Sequence, residues 1–250
     1  MTQDVFSLEG QVALVTGAGR GMGVGIARML GKLGARVAVN DLYAERAEAT
    51  AEELRGEGID AFAAAADVTD HAAVTAMVAA IVKQAGKIDI LVSNAGVPSD
   101  GMGYCKFLES SPEDWQKFVN LNMFGLMNCC HAAVPGMKER GYGRVIAITS
   151  ESWRAGLPMG IAAYAASKAG AVGFIRHLAA ETGRSGITVN ALSLGTMNNW
   201  DSDALAKKTC FVPRAGSPED VGAGVAYFAS KEAAWVTGQV LPLNGGSLTA

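Results

Sequence analysis

Short runs rich in β-branched residues alternate with helix-forming stretches along the whole of this 250-residue sequence, and a glycine-rich turn follows the first of them directly. That alternation admits few architectures. Successive strands joined by right-handed helical crossovers gather into a mostly parallel sheet with helices on both faces. The spacing predicts strands at 11–16, 36–40, 60–66, 88–93, 143–149, 187–192 and 239–243. It predicts helices at 22–33, 44–55, from a Thr69-Asp70 cap to about 85, and at 112–140, 162–182 and 218–229. The run 60–66 is alanine-rich, and only its place in the alternation makes it a strand. Ser111-Pro112-Glu113-Asp114 and Ser217-Pro218-Glu219-Asp220 both read as helix starts, with proline in the first turn and acids at the positive end of the dipole. No linker, repeat or low-complexity tract divides residues 1–250. The chain therefore reads as a single doubly wound Rossmann-type α/β domain around a seven-stranded sheet.

Charge and composition exclude several functions. The net charge is −3 and no basic run appears, which argues against nucleic acid as a partner. No apolar run approaches the ~20 residues needed to span a bilayer, and the first ten residues lack the pattern of a signal peptide. Cys105, Cys129, Cys130 and Cys210 form no Cys-x-x-Cys pair, so buried thiols in a reducing cytoplasm are expected. His71, His131 and His177 do not cluster with them in sequence, and no metal site is expected.

The turn Thr16-Gly17-Ala18-Gly19-Arg20-Gly21-Met22-Gly23 joins a strand to a helix. At Gly17, Gly21 and Gly23 the backbone must turn tightly, approach a phosphate and pack on the sheet, and side chains obstruct all three. The first helical amides then face an anion such as the pyrophosphate of a dinucleotide. Asp41 closes the second strand a little under ~20 residues past the turn, where a ribose-binding acid belongs. A carboxylate there accepts both ribose hydroxyls and repels a 2′-phosphate, favouring NAD over NADP. Arg20 pulls the other way, because a guanidinium beside the turn pairs with phosphate. Asp67-Val68 ends the third strand, where a carboxylate reaches an adenine amino group. Asn94-Ala95-Gly96 ends the fourth, small enough for close approach of a cofactor, with Asn94 bracing the sheet edge.

Tyr164 and Lys168 are four residues apart in a predicted helix, so their side chains share one face and can act on one substrate atom. With the glycine turn, they predict transfer of a hydride and a proton. Added to these are Asn122, Ser150, the run Arg214-x-Gly-x-Pro-Glu-Asp220 and the tail Thr237-Gly-Gln-Val-Leu-Pro-Leu-Asn-Gly-Gly246. In this order, over nearly the whole chain, the set resembles the short-chain dehydrogenase/reductase family. The resemblance implies Tyr164 as general acid and base, with Lys168 lowering its pKa from ~10 and holding the nicotinamide ribose. It implies Ser150 as the group that steadies the substrate oxygen and Asn122 as the holder of a relay water. Ser152 is a live rival to Ser150, because the 150–164 interval is about one residue longer than the family's usual spacing. The family's Pro-Gly after the sixth strand is Leu194-Gly195 here. Met197 is expected to offer a backbone amide to the cofactor's carboxamide, while Asn199 stands where a threonine is usual and no contact is carried over to it.

Loops at 97–107, 151–163 and 196–213 are expected to wall the substrate pocket, with Tyr104, Trp153, Leu157, Met159, Met197, Trp200 and Phe211 lining it. Of these, Trp153, Met197 and Trp200 are the expected substrate contacts, beside Ser150 and Tyr164. The lining suits a small hydrophobic secondary alcohol or ketone, cyclic ones included; Arg154 and Lys207-Lys208 offer the alternative of an anionic substrate. The resemblance implies a homotetramer built on the long helix and the Tyr164 helix. Three functions stay open: an NAD-dependent alcohol dehydrogenase or ketone reductase, a 3-oxoacyl thioester reductase using NADP, and a non-catalytic dinucleotide-binding protein.

Overall fold

The computed structural model describes residues 5–198 and 202–249. In chain order the elements are β1 (Val12–Val15), α1 (Met22–Lys32), β2 (Arg36–Val39), α2 (Ala44–Gly56), β3 (Ala61–Ala63), α3 (His71–Ala85) and β4 (Ile90–Ser93). Then follow α4 (Pro112–Val119), α5 (Gly125–Arg140), β5 (Gly143–Ser150), α6 (Ala162–Thr182), β6 (Ile187–Leu194), α7 (Asp203–Thr209), α8 (Pro218–Ala229) and β7 (Val240–Leu243). The sheet order is β3-β2-β1-β4-β5-β6-β7, and every pairing is parallel. Chain direction across the sheet reverses between β1 and β4, which opens a crevice at their carboxyl ends.

The pleat divides the core in two. Ala13 and Val15 of β1, with Leu192 and Leu194 of β6, face a layer built by α1, α2 and α8. Val12 and Leu14, with Val189 and Ala191, face the opposite layer of α3, α5 and α6. Strands covered on both sides must be apolar at successive positions, which is why these runs do not alternate with polar residues. A side chain such as Leu14, fully buried, contributes about 1.5–3 kcal/mol relative to exposure. The helix starts are capped as their residues predict: Asp70 accepts from Ala72 N and Ala73 N, and Ser111 and Ser217 each form a capping box with the aspartate three residues on.

Three expectations need correction. The third strand is short, Ala61–Ala63 rather than 60–66; after it the chain is tied by Ala64 N to Val39 O and Ala66 N to Asp41 O, at 2.8 and 3.2 Å, and by Asn40 Nδ2, which donates to the carbonyls of Ala64 and Ala66 at 2.9 and 3.1 Å. The long helix 112–140 is interrupted by a π-helical turn at Asn120–Phe124. The stretch 196–213 is not all loop, since α7 lies within it and buries Ala206. No helix among the described residues is long and apolar enough to cross a membrane.

Candidate active site

The strand ends that meet at the crevice carry the glycine turn, Asp41, Asn94 and Ser150. Gly17 and Gly21 have φ of 61° and 59°, a conformation that disfavours any side chain. A Cβ on Gly17 would lie 2.9 Å from Ala95 Cα, and one on Gly23 would lie 2.4 Å from Gly17 O. These glycines let β1, α1 and the end of β4 close on one another. Gly21 starts α1 with no side-chain cap and no acid in the first turn, so the helix's leading amides are left for an anion. Met22 is half-buried and Arg20 is exposed, without an ion pair among the described residues.

Asn94 braces the turn as expected: its Nδ2 donates to Thr16 O at 2.9 Å and Gly17 O at 3.0 Å. Thr16, which sequence reasoning left outside the site, completes the clamp. Its Oγ1 accepts from Asn94 N at 3.0 Å and Ala95 N at 3.2 Å. The visible signal was a lone hydroxyl closing an apolar strand. Asp41 is buried. Its Oδ2 accepts from Gly19 N at 3.2 Å and its Oδ1 from Tyr43 N at 3.1 Å, so it ties the turn to the start of α2. Each oxygen keeps acceptor capacity. Arg46, also unforeseen, lies beside it with its guanidinium over the Tyr43 ring at 4.3 Å. Asp67 is exposed, and its Oδ1 closes a local turn on Thr69 N and Thr69 Oγ1, each at 2.8 Å. Val68 is buried against Gly125 and its carbonyl accepts from Asn128 Nδ2 at 3.0 Å.

The second group lies across the crevice. Lys168 is buried, and its Nζ donates to Ile148 O at 2.8 Å. Asn122 is buried within the π turn, and neither its Nδ2 nor its Oδ1 has a partner. Both side chains converge on Gly96. A Cβ there would lie 2.6 Å from Lys168 Nζ and 2.9 Å from Asn122 Oδ1. A π turn of this kind turns a side chain out of the helical sequence of faces and recurs at functional sites. The orphaned amide and the open cradle at Gly96 fit a polar ligand reaching Lys168.

The Tyr164 ring is held edge-on by Phe118, with centroids 5.8 Å apart. Burial pushes its phenol up to about 12, and a hydrogen bond with Ser150 pulls the other way. Burial lowers Lys168 to about 7. The expected acidified phenol is therefore not produced by the chain's own charges. Lys168 Nζ stands 5.7 Å from the Tyr164 ring centroid, and burial is the largest influence on the phenol. Ser150, not Ser152, is the serine whose hydroxyl lies near enough to act on the phenol. Ser150 is the last residue of β5, one residue later than predicted, and the 3₁₀ turn Glu151–Trp153 buries Ser152 instead.

The expected pocket lining is only partly assembled. Trp153 donates from Nε1 to Ser193 Oγ at 3.1 Å and walls a recess together with Leu157. Met197 is buried in the core against Gly216, so its side chain does not line the pocket; its bridge to Gly216 removes it. Tyr104 and Phe211 are largely exposed. Trp200 and Asn199 lie outside the described residues. Glu151 escaped the sequence reading: it is buried, and its Oε2 accepts from Arg154 and from Asn244 Nδ2.

Known proteins share this arrangement. The family model for short chain dehydrogenases matches residues 11–208. The chain is 38% identical over 244 residues to a 3-oxoacyl-(acyl-carrier-protein) reductase of Staphylococcus aureus, covering 94% of this chain and 96% of that protein. It is 36% identical over 258 residues to 2,3-dihydroxy-2,3-dihydro-p-cumate dehydrogenase of Pseudomonas putida, covering 99% and 98%. Among solved structures, a gluconate 5-dehydrogenase from Burkholderia cenocepacia in complex with NADP and tartrate superposes with a TM-score of 0.91 at 32% identity, over 99% of this chain and 98% of that one. A parallel seven-stranded sheet with its glycine turn, the Tyr164–Lys168 pair on α6 and a family match over most of the length lead to one conclusion: the chain is an oxidoreductase of the short-chain dehydrogenase family.

Proposed function

We propose that the protein moves a hydride between NAD(H) and a small secondary alcohol or ketone, with Tyr164 exchanging the proton on the substrate oxygen. One arrangement carries the reading: the Tyr164 phenol lies near Ser150 while Lys168 and Asn122 converge on Gly96, all at the carboxyl end of the sheet. The residues present fit a dinucleotide. Gly17, Gly21, Met22 and Gly23 would hold its pyrophosphate, Asp41 a ribose, Ala95 and Gly96 would border it, and Lys168 the second ribose. When bound, that group donates or accepts the hydride.

The chain's own residues do the rest. Ser150 and Tyr164 together grip one oxygen, which fixes the carbon beside it. A protonated phenol is the form that donates to a ketone oxygen, and burial favours that form. Ser150 steadies the oxygen as charge develops there. Lys168, lowered to about 7, gains or loses a proton easily near neutral pH. Asn122 offers an unpartnered donor and acceptor beside it, suited to a water in a proton relay. We expect Ser150→Ala to lower kcat on the order of a hundredfold and Ser152→Ala to spare it; stopped-flow nicotinamide absorbance checks both, and the opposite ranking would hand the role to Ser152.

The NAD preference rests on the buried Asp41 carboxylate. A second reading, an NADP-dependent reductase of 3-oxoacyl thioesters, draws support from Arg20 and Arg46 beside the turn and from the name of the Staphylococcus relative. Asp41→Asn keeps an acceptor for the Gly19 amide and deletes the charge. We expect kcat/KM to favour NADH in the wild type and to swing toward NADPH by tenfold or more in the variant. A wild type that already prefers NADPH sinks the NAD assignment, and a thioester turned over faster than every free ketone favours the second reading.

A further inference from the structure

Beside the Tyr164 pocket lies a larger recess of ≈ 600 Å³ whose lining includes Lys106, Ser152 and Arg154. Its walls are apolar at Phe107, Trp153, Leu157, Pro158 and Ile161, and no carboxylate lines it among the described residues. Three polar groups interrupt this surface. Ser152 Oγ is buried and has no hydrogen-bond partner. A buried hydroxyl rarely stays unpaired unless something else meets it. Arg154 donates from Nε at 3.1 Å and from Nη2 at 2.7 Å to Glu151 Oε2, which leaves Nη1 without an acceptor. Glu151 is not part of the lining, and Asn244 Nδ2 donates to the same Oε2 at 2.8 Å. The paired carboxylate fixes the guanidinium. Lys106 is exposed at the rim and forms no ion pair among the described residues.

The recess is joined to the chemistry. Ser152 N donates to Ser150 Oγ at 3.3 Å. Phe107, Gly160, Ile161 and Ala162 wall both this recess and the pocket that Tyr164 lines. We propose that the recess receives the anionic end of the substrate: a ketone or secondary alcohol whose apolar body ends in a carboxylate or phosphate oxygen group, met by Ser152 Oγ, Arg154 Nη1 and Lys106. Apolar walls hold the body while a preorganised guanidinium and a hydroxyl fix the charged end. The proposal rests on the hydride-transfer reading and narrows its substrate.

The test compares three ketones with the same aryl body, ending in a carboxylate, its neutral primary amide, or a coenzyme A thioester. The carboxylate or the thioester should exceed the amide in kcat/KM by about tenfold or more, through KM, and the advantage should shrink with salt. Preference between the two charged substrates tells carboxylate from phosphate. Arg154→Gln and Ser152→Ala should each cut the charged-to-neutral ratio about tenfold, and Lys106→Gln by less. An amide as good as the charged substrates overturns the proposal, as does a variant that lowers kcat equally on all three. A second measurement needs no turnover: quenching of tryptophan fluorescence in the holo-protein by an unreactive arylalkyl carboxylate, with Trp153→Phe as control. Saturable quenching weakened by Arg154→Gln supports the anion site even where no ketone reacts, an outcome that removes only the hydride-transfer reading. Absence of saturable quenching removes the anion site while leaving Tyr164 chemistry intact.

Discussion

Replacing Tyr164 with Phe should lower turnover by a thousandfold or more while the protein melts within a few degrees of wild type. A positioned proton donor contributes roughly 10²–10⁴-fold, and the proposed mechanism gives that role to the phenol near Ser150. Phenylalanine keeps the edge-on contact with Phe118, whose centroid lies 5.8 Å away. What is lost is one hydroxyl, at most one hydrogen bond's worth of stability, about 0.5–1.5 kcal/mol. For a chain of this length that is a shift of a few degrees at most. Cofactor affinity should hold, because the turn, Asp41 and Lys168 are untouched. Steady-state rates, a melting curve and a nicotinamide fluorescence titration on one preparation separate these effects. A variant that retains most of its rate places the acid elsewhere, and Tyr164 then becomes an ordinary residue of α6.

The sequence carried the fold because each strand and each cap is a local statement. Val12, Leu14, Ala13 and Val15 had to be apolar on both sides of the sheet, and the capping boxes at Ser111 and Ser217 are written in four consecutive residues. The Tyr164–Lys168 pair was legible for the same reason, since helical spacing alone puts both on one face. Asn94 could be read as a brace from its place at a strand end. What stayed hidden depends on packing between distant segments. The π turn at Asn120–Phe124 cannot be told from continuous helix by periodicity, yet it places Asn122. The choice between Ser150 and Ser152 depends on a 3₁₀ turn of three residues. Met197 read as a pocket residue because its burial is made by Gly216, which bridges to it from another part of the chain. Asp67, read as a ligand from its place at a strand end, also has a local duty that spacing did not show: its Oδ1 accepts from Thr69. The effect of burial on the central pair was not legible, for a related reason. Spacing places an ammonium near a phenol, but burial, which spacing does not report, governs both groups.

That burial makes Lys168 a cost to the fold, so Lys168→Met should stabilise the protein at neutral pH while destroying its activity. In the unfolded chain the ammonium has its ordinary pKa of 10.5, and in the folded protein burial lowers it to about 7. Below about pH 7 the group is charged in both states and the full desolvation cost is present. Between about 7 and 10.5 the unfolded chain binds the extra proton, so wild-type stability rises with pH across that window. Above it the group is neutral in both states and the cost is gone. Methionine fills similar space without a charge, and its only evident loss is the hydrogen bond to Ile148 O. Relief of a buried cation outweighs one hydrogen bond, so the variant should gain on the order of 1–2 kcal/mol at pH 6.5. Its advantage should disappear near pH 10. Urea melts of both proteins at several pH values measure the difference, and subtracting the two curves cancels every other titrating group. Parallel curves would mean that Lys168 titrates alike in the folded and unfolded chain, and so bears its charge in the fold at no net cost. A loss of turnover beside a gain in stability would be the mark of a group kept for its chemistry against the interest of the fold.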